Sequence, residues 1–388
     1  VYLTKEEEKI LNGYYGYELQ KVMSIIVKVG EIMKADRLVD IDTTHISGIS
    51  YRNIGDAGLE FLEDLSKMNI KFQSFTTLNP AGACNDCPLS YLFSREFLDK
   101  QSRIISIFKK LNANLWLTCT PYEYLRIRPN TYHAWCESNA IAYLNSVFDA
   151  RSEKLPGIFA IYCSIIKKVP RFGLYRDEKR RPNVIVKVKD CDKFKQIHYD
   201  ILGKVIAEKI GYNIPYLVGL KVRSTTHLKH LLASYATYSP IPFMIIHQLT
   251  RNYEKYGKEL KGVEKIEIDF EELDRDRKDM ECGEKPELIL IGCPHANLEE
   301  LDPIINRKFN VKIIVSTSRF VFRGLSNVQN IDYLLDTCPV VSPILENLDV
   351  QIIITNSLKL AYYVSRLFKV RVYISSLEDI IQQYSISA

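Results

Sequence analysis

Apolar positions along the chain fall into short runs, and the spacing within a run shifts between the helical period and the continuous or alternating pattern of a strand. Residues 4–35 carry the helical period from Ile10 to Met33. Thr4, with Glu7 three residues later, is a capping-box signature, and Gly13 and Gly16 are expected to divide the segment into two helices. The run 38–41 predicts a strand that leaves through Asp42-Thr43-Thr44-His45-Ile46-Ser47-Gly48, a polar exit of the kind that holds reactive groups on a rigid scaffold. The arrangement recurs. A helix over 58–68 and a strand over 70–75 leave through Thr76 to Gly82, and a helix over 94–111 and a strand over 115–117 leave through Thr118-Cys119-Thr120-Pro121-Tyr122. Ala134-Trp135-Cys136-Glu137-Ser138-Asn139-Ala140 opens a helical stretch that closes on Arg151.

Patterning weakens over 183–285, where helices are expected near 196–210 and 226–236 and a charged run covers 254–284. It sharpens again from 286. Strands over 288–291, 312–315, 351–354 and 370–374, with helices near 298–305, 358–367 and 377–384, predict a compact α/β unit on a largely parallel sheet. A chain of 388 residues exceeds the size at which one core stops growing. The expected fold class is therefore α/β and multi-lobed, with mixed and parallel sheets flanked by helices. Its parts are an N-terminal α/β lobe (1–182), a mixed middle lobe or insert (183–285) and a C-terminal α/β lobe (286–388), around at least one cleft.

Composition narrows the function classes. Apolar residues at 46% and charged residues at 26% are ordinary for a globular protein. No apolar run approaches the roughly 20 residues of a membrane span, and Val1-Tyr2-Leu3-Thr4 followed by Lys5-Glu6-Glu7-Glu8 lacks the order of a secretory signal. A cytoplasmic protein without membrane association is expected. The net charge of +5 is small for this length, so nucleic acid is not an expected partner. A few well-placed cations would suit a small anionic substrate instead.

Nine cysteines, spread widely through a long chain, do not read as a disulfide framework and favour thiol chemistry or metal ligation. Cys119, Cys293 and Cys338 share a context that the others lack. Each follows an apolar run and is followed at once, or after one residue, by proline: Leu117-Thr118-Cys119-Thr120-Pro121, Ile291-Gly292-Cys293-Pro294 and Asp336-Thr337-Cys338-Pro339. Proline ends the strand or starts a helix and so fixes the thiol at a turn. Three cysteine ligands would leave one iron of a cubane cluster open as a Lewis acid; the alternative is three buried thiols acting as small apolar groups. Cys84-Asn85-Asp86-Cys87 offers a zinc or redox pair, but a zinc site needs a second pair of ligands, and no matching C-x-x-C or H-x-x-x-H occurs.

The blocks His45-Ile46-Ser47-Gly48, Ile54-Gly55-Asp56, Gly58 to Glu63, Thr76-Thr77-Leu78-Asn79-Pro80-Ala81-Gly82 and Thr118 to Tyr122 follow one another in order. They continue with Glu137-Ser138-Asn139-Ala140, Asn145-Ser146-Val147, Ala150-Arg151, Gly292-Cys293-Pro294-His295, Asp336-Thr337-Cys338 and Thr355-Asn356-Ser357-Leu358-Lys359. In that combination the sequence resembles the aconitase X family over nearly its whole length, most weakly from 183 to 285. The resemblance implies an aconitase-like architecture and a hydro-lyase built from a large and a small subunit, the small one carrying the catalytic serine. It implies an iron–sulfur cluster, 4Fe-4S with one open iron, on Cys119, Cys293 and Cys338. The implied substrate is phosphomevalonate of the archaeal mevalonate pathway, with cis-3-hydroxy-L-proline or another small hydroxy acid as the alternative.

Within those blocks, His45 and Glu137 are candidate catalytic groups. Asn79, Ser138, Asn139, Arg151, Ser357 and Lys359 are candidates for holding the substrate, with Arg151 and Lys359 suited to an anion. Structural roles compete at each position: a backbone-bonded histidine, helix-capping Ser138 and Asn139, and salt-bridged cations. The family's Gly-Ala-Arg-Thr-Asn-Arg run reads Asp149-Ala150-Arg151-Ser152-Glu153-Lys154 here, which sets acidic groups beside a supposed anion site. Two other readings follow from the residues: a non-catalytic binding or regulatory homologue, and a zinc module on Cys84 and Cys87.

Overall fold

Each third of the chain is organised around its own parallel sheet. The structure is a computed structural model that describes all residues except 259, 282, 324, 326–330, 387 and 388, so Cys282 lies outside the described residues. At the start of the chain the capping box forms: Glu7 N donates to Thr4 Oγ1 (3.3 Å) and Thr4 N to Glu7 Oε2 (2.7 Å). The helix Lys5–Leu11 then hands over through Gly13 and Gly16, both at positive φ, to the helix Tyr17–Ile32.

The first sheet differs from the expected one in register. Its central strand is Thr43–Ile46, parallel to Phe75–Leu78 on one side and His133–Trp135 on the other. Segments expected as polar exits are therefore strands, and the expected strand at 38–41 shrinks to Leu38–Asp40, paired antiparallel with Lys168–Pro170. The cause is polar residues that find partners inside. Thr44 and Ser74 share a hydrogen bond (2.7 Å), Ser74 joins Ser164 (3.0 Å), and Ser164 joins Thr76 (2.6 Å), a buried hydroxyl cluster that an apolar pattern does not reveal. Among the described residues no strand forms at 115–117. The helix expected from 58 starts earlier, as Tyr51–Lys67 capped by Ser50, with Gly55 breaking its helical geometry at φ 59°.

In the middle third, Val184–Val188 lies between Pro215–Val218 and Glu264–Ile268, all parallel, and Ile245–Ile246 completes the sheet. Helices Gln196–Ile210 and Thr225–Tyr238 match the expected ones. The charged run at 254–284 holds the edge strand Glu264–Ile268 and the helix Phe270–Asp279. An edge strand needs few apolar residues: Glu264, Lys265 and Glu267 are exposed and only Ile268 is buried.

The last third carries five parallel strands in the spatial order Asp332–Leu335, Lys312–Thr317, Leu288–Ala296, Ile352–Thr355 and Arg371–Ile374. Every residue of the central strand Leu288–Ala296 is buried, as a parallel strand covered on both faces requires. Leu288 and Leu290 pack into the core on one face, Ile289 and Ile291 into that on the other. Helices Leu358–Leu367 and Leu377–Tyr384 fall where the periodicity places them.

Candidate active site

Three chain segments deliver cysteines to one cleft, and all three turn in the same way. Each passes through a residue of positive φ one or two positions before its cysteine: Leu117 (46°) before Cys119, Gly292 (103°) before Cys293 and Asp336 (57°) before Cys338. The positive-φ residue bends the chain beside its cysteine, in a loop before Cys119, within the strand Leu288–Ala296 at Cys293 and just after the strand Asp332–Leu335 before Cys338. Gly292 is required on a second ground. A Cβ there would lie 2.0 Å from the Ser316 carbonyl oxygen, and the pairing of Leu288–Ala296 with its neighbour slips between Ile291 and Ala296, which frees Cys293 from the ladder.

Cys119, Cys293 and Cys338 line a cleft of about 340 Å³ together with Asn79, Glu137, Ser138 and Lys359. Their thiols are buried at 4%, 4% and 5% exposure. The Cys293 and Cys338 side chains share a hydrogen bond. His295 N donates to Cys119 Sγ (3.2 Å), a hydrogen bond that favours a ligating thiolate, and a buried ammonium, Lys359, faces the sulfurs, so the donor set suits a thiolate-ligated metal group.

The polar residues around the sulfurs form one connected chain. His45 Nδ1 meets Thr77 Oγ1 (2.9 Å) and its Nε2 meets Asn79 Oδ1 (3.4 Å). Asn79 Nδ2 donates to Glu137 Oε2 (2.9 Å), and Lys359 Nζ donates to Glu137 Oε1 (2.5 Å) and to Asn139 Oδ1. Asn139 Nδ2 then donates to the Cys119 carbonyl (2.8 Å), and Ser357 Oγ donates to the Cys293 carbonyl (2.5 Å) while capping the helix that bears Lys359. Two of the sequence candidates thus hold cysteine backbone rather than the cleft surface. Burial works to raise Glu137, but the Lys359 ammonium outweighs it and keeps the carboxyl below its usual range. Burial likewise works against the charge on Lys359, and Glu137 with Cys293 and Cys119 holds the ammonium above its usual range. His45 is driven down to about 4 by burial, against the pull of Glu137, so it is neutral near pH 7.

His45 does not reach the cleft, because Asn79 stands between it and the cavity. Arg151 is not in the cleft either. Its Nε donates to Asp177 Oδ1 (3.2 Å) and its Nη1 to the Asp149 carbonyl (3.5 Å). Residues 149–152 of that run are internal packing, with Glu153 half-buried and Lys154 exposed: Asp149 pairs with Arg180 (3.0 Å) with both side chains fully buried, Glu153 accepts from Leu174 N, and Lys154 Nζ donates to the Ser239 carbonyl (2.9 Å). The acidic groups of that run therefore do not face the cleft. Sequence reasoning did not single out Tyr363, which lines the cleft four residues after Lys359; that i,i+4 spacing on one helix face was the available signal. Ser47, Gly48 and Asn53 also line it. Cys84 and Cys87 lie outside this lining and are joined to each other.

Comparison with known proteins bears on this geometry over the whole chain. Residues 1–178 match the sequence profile of the aconitase X first domain, 182–278 that of the second and 286–385 that of the third. The chain is 34% identical to the phosphomevalonate dehydratase large subunit of Thermococcus kodakarensis, over 99% of this chain and 100% of that one. The protein of the same description from Methanocaldococcus jannaschii is 35% identical, over 98% and 100%. A cis-3-hydroxy-L-proline dehydratase of Hypocrea jecorina is 27% identical and longer, the match covering 97% of this chain and 67% of that one. In three dimensions the chain superposes on a crystal structure of Thermococcus kodakaraensis aconitase X in its holo-form with a TM-score of 0.88, at 34% identity over 99% of this chain and 100% of that one.

Proposed function

The chain belongs to the aconitase X family, and from that premise and the cleft geometry we propose that it is the large subunit of a hydro-lyase dehydrating (R)-5-phosphomevalonate to trans-anhydromevalonate 5-phosphate. The observation that carries the reading is the convergence of Cys119, Cys293 and Cys338 on one cleft beside the Glu137–Lys359 pair. The three thiolates would hold an iron–sulfur cluster, which when bound supplies a Lewis acid for the departing hydroxyl. Lys359 is the cation among the cleft residues and receives the substrate's carboxylate. Glu137 fixes the position of Lys359, and Asn79 fixes Glu137. His45, neutral and bonded at both nitrogens, orients Asn79 rather than carrying a proton to the substrate. Ser138 and Asn79 offer hydrogen bonds to the remaining hydroxyl and phosphate oxygens. The proton-abstracting serine comes from the small subunit.

Phosphomevalonate is preferred to cis-3-hydroxy-L-proline because the relatives so named are matched end to end at 34% and 35% identity, against 27% for the hydroxyproline enzyme. The test is anaerobic co-expression with the small subunit, iron and acid-labile sulfide analysis, and parallel assays on both substrates. Iron, sulfide and turnover of phosphomevalonate are expected, and each should be lost in Cys119→Ser, Cys293→Ser and Cys338→Ser. Turnover that survives those substitutions would overturn the proposal.

A further inference from the structure

Cys84 and Cys87 have no part in the chemistry above, yet they sit on the segment that joins the cleft wall to Cys338. They form a disulfide within a surface turn. The two residues are buried against Leu335, Phe322 and Tyr333, whereas Asn85, Asp86 and Pro88 are exposed. The turn is strapped to the three residues that precede Cys338. Leu335 N donates to Cys87 Sγ (3.1 Å), Ala81 N donates to the Asp336 carbonyl (2.8 Å), and Thr337 Oγ1 donates to the Ala81 carbonyl. On the outer side Asp86 forks onto Arg319 (2.7 and 2.6 Å), which also pairs with Asp336. At the other end of the strap, Asn79 and Pro80 line the cleft.

We propose that Cys84–Cys87 is a reversible redox site, reduced by a dithiol, whose state sets how firmly residues 335–337 are held behind Cys338. When local opening of the exposed Asn85–Asp86 tip uncovers the otherwise buried Cys84 Sγ, a reductant thiolate attacks it, the sulfur–sulfur bond breaks, and its electron pair goes to Cys87 Sγ, which takes up a proton. That sulfur is the better leaving group, because Leu335 N–H already donates to it while the Asp86 carboxylate lies beside Cys84, 3.5 Å from its sulfur. The second thiolate of the reductant then attacks the reductant's own sulfur in the mixed disulfide. Cys84 leaves, takes a proton, and donates a hydrogen bond to Asp86. Two electrons and two protons have passed from the dithiol, which becomes a disulfide, to the pair. Unbonded sulfurs approach only to van der Waals contact, so they separate in a niche already filled by Leu335, Phe322 and Tyr333. The turn shifts outward and the Leu335 amide loses its acceptor.

The consequence for iron retention rests on Cys338 being a ligand, as proposed above; the loosening of 335–337 does not. In the test, the full chain with its small subunit is incubated in oxidised or in reduced dithiothreitol, alkylated, and followed by hydrogen exchange. The 84–87 peptide should carry no label in the first buffer and two in the second. Amide exchange at Leu335 should rise about fivefold or more on reduction, while C84S/C87S shows the faster rate in both buffers. Release of iron to a chelator should accelerate in parallel. Identical labelling in the two buffers, or exchange that ignores the redox state, would overturn the proposal. If exchange responds and iron release does not, the redox site stands and the ligand role of Cys338 falls.

Discussion

Removing one member of the Glu137–Lys359 pair should harm the fold more than removing both. Nζ and Oε1 are 2.5 Å apart, and the side chains are 6% and 14% exposed. At an effective dielectric of about 20 the attraction is about 6–7 kcal/mol. Deleting one partner also removes its own desolvation cost, which brings the expected net loss to about 3–5 kcal/mol for Lys359→Met or Glu137→Leu alone. With Lys359 gone, Asn79 still donates to the Glu137 carboxylate (2.9 Å), but an amide does not neutralise it. The double variant buries no charge there and should lie within about 1–2 kcal/mol of the parent, a coupling of at least about 4 kcal/mol. Urea unfolding of the iron-free chain, followed through the buried Trp135, measures all four corners of the cycle. The pH must be chosen with the signs in view. Glu137 is held below its usual range, so its contribution is present above about 4.3 and lost as pH falls; Lys359 is held above its range, so its contribution is present below about 10.4 and lost as pH rises. Near pH 7 both are fully present. All three variants should lack turnover, because the cleft has lost its cation or its anchor. Additive stability effects would refute the reasoning, since they would mean that the pair is solvated and uncoupled.

Three further outcomes follow from the same geometry. His45 is depressed from 6.5 to about 4, so the stability it lends is complete above 6.5 and falls by about 3 kcal/mol as pH drops towards 4; His45→Gln should flatten that acid limb in a thermal-melt series while leaving measurable turnover. Gly292→Ala places a Cβ 2.0 Å from the Ser316 oxygen at φ 103°, and should cost about 3–4 kcal/mol and abolish iron uptake on reconstitution. Arg151→Gln should lower the melting temperature but leave KM for phosphomevalonate within about threefold, because its partners are Asp177 and Asp149 rather than the substrate; a large rise in KM would return Arg151 to the substrate site.

Much of the frame is written locally and is legible from the residues alone. The Thr4–Glu7 box, the helices Gln196–Ile210 and Leu358–Leu367, and the parallel strands of the last third depend on contacts within a few residues or on burial of both faces, and both leave a clear period. The shared context of Cys119, Cys293 and Cys338 is equally local, since proline and a sharp turn are neighbours in sequence. What only the tertiary structure decided is where polar residues find partners. Thr44, Ser74, Thr76 and Ser164 satisfy one another across the core, which moves two strands into segments that look like exits. Arg151 and Lys359 are alike on paper, two cations in matching blocks. Asp177 and the Asp149 carbonyl hold one inside the packing, while Glu137 holds the other at the cleft, because a buried charge goes where its counter-charge is and that position is set by residues far away in the chain.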